Sequence, residues 1–242
     1  VQGTSVIKPL VGEEADITSD GSVIRPVLTS ERGLGFAQAL IPAYSKIDAY
    51  HMTCCPIDEA VRRLGSEKRG DAASVVLSAA GDYYAAIGEG VKAREAYRNA
   101  DEARNLTGSF LEQTAWQGAH SRSSEEFLKS NRTDRAAEEL RLWEKEFPAD
   151  KIEGYIGVLI ARYWKARKLY PQAIAQADRL LVINPQSPYI DQLLLIAAEC
   201  EIARDRNDRA VATLEGLIAD YPGSPLIPEA KKLLATIEKS SQ

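Results

Sequence analysis

The chain has 242 residues, with 30 lysines and arginines against 35 aspartates and glutamates, a formal net charge of −5. Without a basic excess to neutralise phosphates, nucleic acid is excluded as a default partner. A hydrophobic fraction of 45% is that of a soluble globular protein, and no apolar run, Leu193–Ala198 included, approaches the roughly 20 residues of a membrane span.

Residues 1–30 are expected to form an extended arm. The runs Val6–Val11 and Ser22–Leu28 are β-prone but broken by Pro9 and Pro26, with the polar turn Thr18-Ser19-Asp20-Gly21 between them. Proline removes a ladder donor, which suits an edge strand or an arm lying on a surface. This stretch lacks a basic start followed by a continuous apolar run, so no signal peptide is expected in it.

Residues 31–70 read as an N-terminal helical extension. Thr29 or Ser30 can cap it, and Phe36, Leu40, Tyr44, Ile47 and Tyr50 continue an apolar stripe past a kink at Pro42. A break at Met52–Pro56 and a short helix Ile57–Leu64 follow. His51, Cys54 and Cys55 are the one cluster of soft ligands, and a metal there would need a fourth partner. The three cysteines are too few for a disulfide framework, and neighbours such as Cys54 and Cys55 close only a strained ring. Neither a metal nor another cofactor is expected.

From residue 71 the pattern repeats. Alanines at 93, 136, 173 and 210 serve as anchors, lying 43, 37 and 37 residues apart. Four residues after each comes a core-filling side chain (Tyr97, Leu140, Ala177, Leu214), and seven after it comes another (Ala100, Trp143, Leu180, Leu217). Proline follows twelve residues on in three cases, at Pro148, Pro185 and Pro222. The pattern predicts helix pairs over 71–87 and 90–104, 109–130 and 133–146, 151–168 and 170–182, and 188–204 and 207–220. A final helix is predicted from Ile227, with Lys231, Lys232 and Lys239 outward. Gly88 and Asn131 are expected to end their helices in the left-handed conformation.

No catalytic pattern in the chain is complete. His120 lies on the polar stretch Gly118–Ser124, read as a solvated helix face, with no strand-to-helix elbow for a nucleophilic serine. Gly88-Glu89-Gly90 lacks the strand and the lysine-threonine ending of a phosphate loop. The adjacent pairs Glu125-Glu126 and Glu138-Glu139 point in different directions on a helix and cannot converge. No catalytic residue is assigned, and the protein is not expected to be an enzyme.

The spacing A-x3-F-x2-A-x4-P resembles the tetratricopeptide repeat (TPR), whose consensus period is roughly 34 residues. The segment Asp220-Tyr221-Pro222-Gly223-Ser224-Pro225, continued by Leu226-Ile227-Pro228-Glu229-Ala230-Lys231-Lys232-Leu233-Leu234, is similar to junctions of bacterial envelope TPR proteins. Those include the outer-membrane-assembly lipoprotein and Tol–Pal-associated periplasmic types. Asn184-Pro185-Gln186-Ser187-Pro188-Tyr189 is a looser copy. The resemblance covers about residues 74–240; no lipidated N-terminal cysteine of the family's kind is expected, and residues 1–70 lie outside the resemblance.

The resemblance implies an all-α, right-handed α-solenoid of helical hairpins over 71–240, closed by a capping helix and preceded by the extended arm. It also implies that the first helix of each pair lines a concave, peptide-binding face. Those positions are Tyr155, Val158, Arg162 and Lys165 in the third repeat, and Gln192, Leu195, Glu199 and Ile202 in the fourth. The second repeat contributes Glu125, with Gly118, Ser121 and Leu128; the first contributes Asp82, with Val75, Ser78 and Ala85. The expected function is a non-enzymatic protein- or peptide-binding scaffold of the bacterial periplasm or cell envelope. Membrane association is expected only through an assembly. The alternatives are a permanent structural subunit, an accessory domain of an enzyme complex, and a cytoplasmic location.

Overall fold

The computed structural model describes the strand backbones Ile7–Lys8, Asp16–Ser19 and Ser22–Val23, and residues 70–240 apart from Asn105 and Thr107. The expected helical extension of residues 31–70, with His51, Cys54 and Cys55, lies outside the described residues except for Gly70. In the arm, β1 (Ile7–Lys8), β2 (Asp16–Ser19) and β3 (Ser22–Val23) pair antiparallel, with Ile7 opposite Ile17 and Thr18 opposite Val23. Ile7–Lys8 and Ser22–Val23 belong to the two β-prone runs, and both stop short of their prolines. The middle strand uses Thr18 and Ser19, which the sequence reading placed in a turn.

From Gly70 onward the described chain is all helix and connecting turns. It divides into two compact units, one of residues 1–107 with 145–149 and one of 108–144 with 150–242. In the first unit, α1 (Gly70–Ala86) and α2 (Gly90–Ala103) form a hairpin. The approach is close because Gly81 has no side chain: a Cβ there would lie 2.5 Å from the Tyr97 ring. Tyr97 is fully buried, and its hydroxyl donates to Asp82 Oδ1 at 2.6 Å. Phe147 is buried in the same unit beneath the Arg104 guanidinium, 4.5 Å from the ring centroid.

The second unit contains α3 (Phe110–Lys129), α4 (Thr133–Glu146, its last two residues excepted), the single turn α5 (Asp150–Glu153), α6 (Tyr155–Ala166) and α7 (Tyr170–Ile183). It continues with α8 (Ile190–Ile202), α9 (Asn207–Asp220) and α10 (Ile227–Ser240). From α6 to α10 each helix packs on the next. Two apolar clusters hold this stack. Val158, Ala173, Ala177, Ile190 and Leu193 centre one. Ala198, Ala210, Leu214, Leu217 and Ala230 centre the other. Alanines sit at the closest approaches because a methyl group keeps the backbones near each other while still excluding water. On α10 the buried Ala230 and Ile237 face inward, and Lys231, Lys232 and Lys239 are exposed.

The turns inside the hairpins share one geometry. The second residue after Gly88, Asn131, Lys168 or Asp205 begins the next helix or immediately precedes it, and each of the four has φ between 57° and 86°. The next amide donates five residues back: Glu89 to Tyr84, Arg132 to Phe127, Leu169 to Trp164 and Arg206 to Glu201, at 2.8–2.9 Å. The left-handed residue donates to the carbonyl three back, as Lys168 does to Lys165 at 2.9 Å. This is the Schellman arrangement, which satisfies the last carbonyls of a helix. Gly88 and Asn131 take the expected conformation; Lys168 and Asp205 take it as well, although their residue types do not announce it. For lysine this backbone is costly, by roughly 1–2 kcal/mol, part of which glycine's extra chain entropy cancels. Lys168→Gly is therefore expected to stabilise the protein by about 0.5–1 kcal/mol. A lower midpoint in urea for this variant would mean that the lysine side chain contributes more than its backbone costs.

The junctions between hairpins also repeat. Ser187 Oγ accepts from the Tyr189 amide at 3.2 Å and Ser224 Oγ from the Leu226 amide at 3.1 Å, so each serine closes the turn that leads into the next helix. Each hydroxyl also donates to an earlier element, Ser187 to the Glu153 carbonyl at 2.5 Å and Ser224 to Asp191 Oδ2 at 2.6 Å. Asn184 adds a bond from Nδ2 to the Ile152 carbonyl at 3.1 Å. The reading of one helix over 151–168 is corrected here. Gly154, at φ 102°, separates α5 from α6, and Leu180 and Ser187 press against it.

Candidate functional site

The predicted inward stripes of α3, α6 and α8 meet side by side. Residues three, four and seven apart share one helix face, so Tyr155, Arg162 and Lys165 project together from α6, and Gln192, Leu195 and Glu199 from α8. Tyr155 donates its hydroxyl to Glu125 Oε1 at 2.5 Å, joining α6 to α3. Arg162 donates to Gln192 Oε1 at 3.4 Å, and Lys165 Nζ to Glu199 Oε2 at 2.6 Å, joining α6 to α8. The Tyr155 ring also meets Tyr189, with centroids 5.1 Å apart.

A cavity of about 420 Å³ opens on this face. Arg162, Lys165, Gln192, Leu195 and Glu199, all named from the repeat register, line it. Its other lining residues are Asp191, Ile196, Pro225, Leu226 and Glu229, which the register did not name. A signal for one of them was present. Tyr155 and Gln192 are 37 residues apart, and one further step of 37 lands on Glu229 in the final helix.

The remaining predicted positions stand apart from the cavity. Val158 is a correction: it has no exposed surface and is sealed into the core with Ala173, Leu193 and Ile196. Ile202 is half-buried against the core of α8–α10. Glu125 and Tyr155 occupy each other. Asp82 belongs to the first unit, where Tyr97 holds it.

The electrostatics of the Glu125–Tyr155 pair follow from that hydrogen bond. The Tyr155 hydroxyl holds the Glu125 carboxyl below its ordinary value, against a weaker opposing effect of burial. Burial first, and Glu125 second, push Tyr155 up to about 12. A carboxylate with a depressed folded pKa contributes stability above its unfolded value, lost as pH falls through the folded one. The contribution of Glu125 is thus complete above about pH 4.5 and declines below it. Tyr155→Phe is expected to raise the Glu125 midpoint in a carbon-13 carboxyl titration and to flatten the acid limb of the stability curve. A midpoint unmoved by the substitution would show that the bond does not form.

His120 is not on a solvated face, as its polar neighbours suggested. Its Nδ1 lies 2.8 Å from Glu139 Oε1 and its ring stacks on Trp143 at 6.3 Å. Trp143 Nε1 donates to Asp150 Oδ2 at 2.6 Å, and Gln117 donates to the other oxygen at 3.0 Å. The cluster ties α3, α4 and α5 together. Among the described residues no group of three or more His, Cys, Asp or Glu side chains is placed to hold a metal ion. No helix among them is long and apolar enough to cross a membrane. The chain matches no protein-family model, and no curated protein matches it at a significant level.

Proposed function

We propose that the chain is a TPR-like α-solenoid that serves as a non-enzymatic scaffold, binding a protein or peptide along the inward face of its first helices. The observation that carries this reading is the convergence of Arg162, Lys165, Gln192, Leu195 and Glu199 on one cavity with a mixed apolar and charged lining. Ligand clefts commonly fall between roughly 300 and 1,000 Å³, with apolar walls and a few polar groups that fix orientation. The recurring turns at Gly88, Asn131, Lys168 and Asp205 support the repeat reading. The envelope location rests on the likeness of the 184–189 and 220–234 junctions to those of bacterial envelope proteins. Site-specific photocrosslinking in the native cell tests the proposal. A benzoylphenylalanine at position 192 should capture a protein, and one at Leu181, which is exposed on α7, should not. Adducts at 181 alone would move binding to the other face.

A second reading, the permanent subunit, is favoured by the start of α3. Phe110 is 82% exposed, Leu111 77% and Trp116 44%, an apolar display that a partner would cover. On this reading the purified chain self-associates in sedimentation, and Leu111→Glu suppresses it.

A further inference from the structure

The charges around the cavity are not equally available. Lys165 is bound to Glu199 at 2.6 Å. Asp191 accepts from the Ser224 hydroxyl at 2.6 Å and from the Gln192 amide at 2.7 Å. Arg162 is exposed, and its one side-chain hydrogen bond among the described residues is the 3.4 Å contact with the neutral Gln192. Glu229 is exposed and has no ion pair or side-chain hydrogen bond among the described residues. Thus one cation and one carboxylate that form no ion pair within 4 Å among the described residues line the same cavity. They stand on different walls. Arg162 comes from α6, which pairs with α8 through Gln192, and Glu229 from α10, whose junction pairs with α8 through Asp191. The same cavity is lined by Leu195, Ile196 and Leu226, and by the Gln192 carboxamide, whose Nε2 has no protein acceptor among the described residues.

We infer that this cavity takes an extended peptide in which an acidic and a basic side chain flank one to three apolar ones, the acid against Arg162 and the base against Glu229. The inference rests on the scaffold reading and names the chemistry of its partner. A ligand of a single sign gains at one wall and is repelled at the other, whereas the mixed ligand gains at both. The apolar residues cover Leu195 and Leu226, and Gln192 Nε2 donates to a peptide carbonyl.

A phage-displayed random heptapeptide library panned on the purified full chain, and in parallel on Arg162→Glu and Glu229→Lys, decides the matter. Both positions are exposed, so the variants should melt like the parent by circular dichroism. The parent is expected to enrich peptides with one acid and one base separated by one to three apolar residues. A synthetic copy of such a peptide should bind about fivefold more tightly than the same peptide with its acid changed to lysine. Arg162→Glu should enrich peptides with two basic residues, and Glu229→Lys peptides with two acidic ones. Enriched peptides without this charge pattern, or a pattern that neither variant changes, overturn the inference and leave the scaffold reading standing. No enrichment on any of the three proteins overturns both.

Discussion

Gly154→Ala is expected to destabilise the second unit by about 3 kcal/mol, from a left-handed backbone cost of roughly 1–2 kcal/mol and an overpacking cost of similar size. Gly154 sits at φ 102°, where a side chain is strained whatever space surrounds it. Space is also lacking: a Cβ would lie 2.5 Å from Leu180 Cδ2 and 3.1 Å from Ser187 Oγ. Neither neighbour yields easily. Leu180 is buried in the core, and the Ser187 hydroxyl is engaged with the Glu153 carbonyl and the Tyr189 amide. A shift of 3 kcal/mol corresponds to a melting point lower by about 10 °C in a unit of this size. Gly157 is the control, since a Cβ there would meet only Leu193 at an ordinary 3.9 Å. Gly157→Ala, in the middle of α6, should be neutral or stabilising by up to about 1 kcal/mol. Equal effects from both substitutions would show that the break at Gly154 does not form.

The contrast between these glycines marks what was legible in the sequence. Helix positions were legible wherever an apolar stripe and a stop signal coincided. The pairs over 70–86 and 90–103, and over 190–202 and 207–220, fall within two residues of the predicted ends. The break at Gly154 was not legible, because Ile152, Tyr155 and Ile156 continue the apolar pattern across it and Leu180, which packs against the bend, comes from another helix. The turns at Lys168 and Asp205 escaped notice for a related reason. Their backbone is imposed by the hydrogen bonds of the Schellman arrangement, and the side chains merely tolerate it.

The candidate site divides in the same way. A register argument treats each helix alone, so it can say which stripe faces inward but not how deep each member lies. Val158 lies on the same predicted stripe of α6 as Arg162 and Lys165, yet α7 and α8 close over it. Arg162 and Lys165, with long side chains, reach the open cavity. Asp191, Pro225 and Leu226 enter the lining from the ends of helices, at junctions whose sequence reads as punctuation. His120 was misread because its partner Glu139 and its stacking neighbour Trp143 come from the next helix.

Ala210→Phe tests the repeat register itself. Ala210 is an anchor of the sequence pattern, fully buried on α9 in the cluster that contains Ala198, Leu195 and Leu214. Its methyl lies where α9 crosses α8, and the larger ring cannot be absorbed without separating the helices. Overpacking of this kind costs typically about 1–3 kcal/mol and at times more. Ala212, two residues along the same helix, is exposed. Helix geometry turns those two side chains to different faces, so Ala212→Phe should lose only the difference in helix propensity, about 0.5 kcal/mol. The comparison cancels the composition of the two variants and leaves position as the only variable. A midpoint for Ala210→Phe as high as that for Ala212→Phe would place the anchor outside the helix contact and undo the register on which the cavity was first located. A large loss confined to Ala210→Phe would tie the alanine spacing to the α8–α9 interface, and through α8 to the wall that carries Gln192, Leu195 and Glu199.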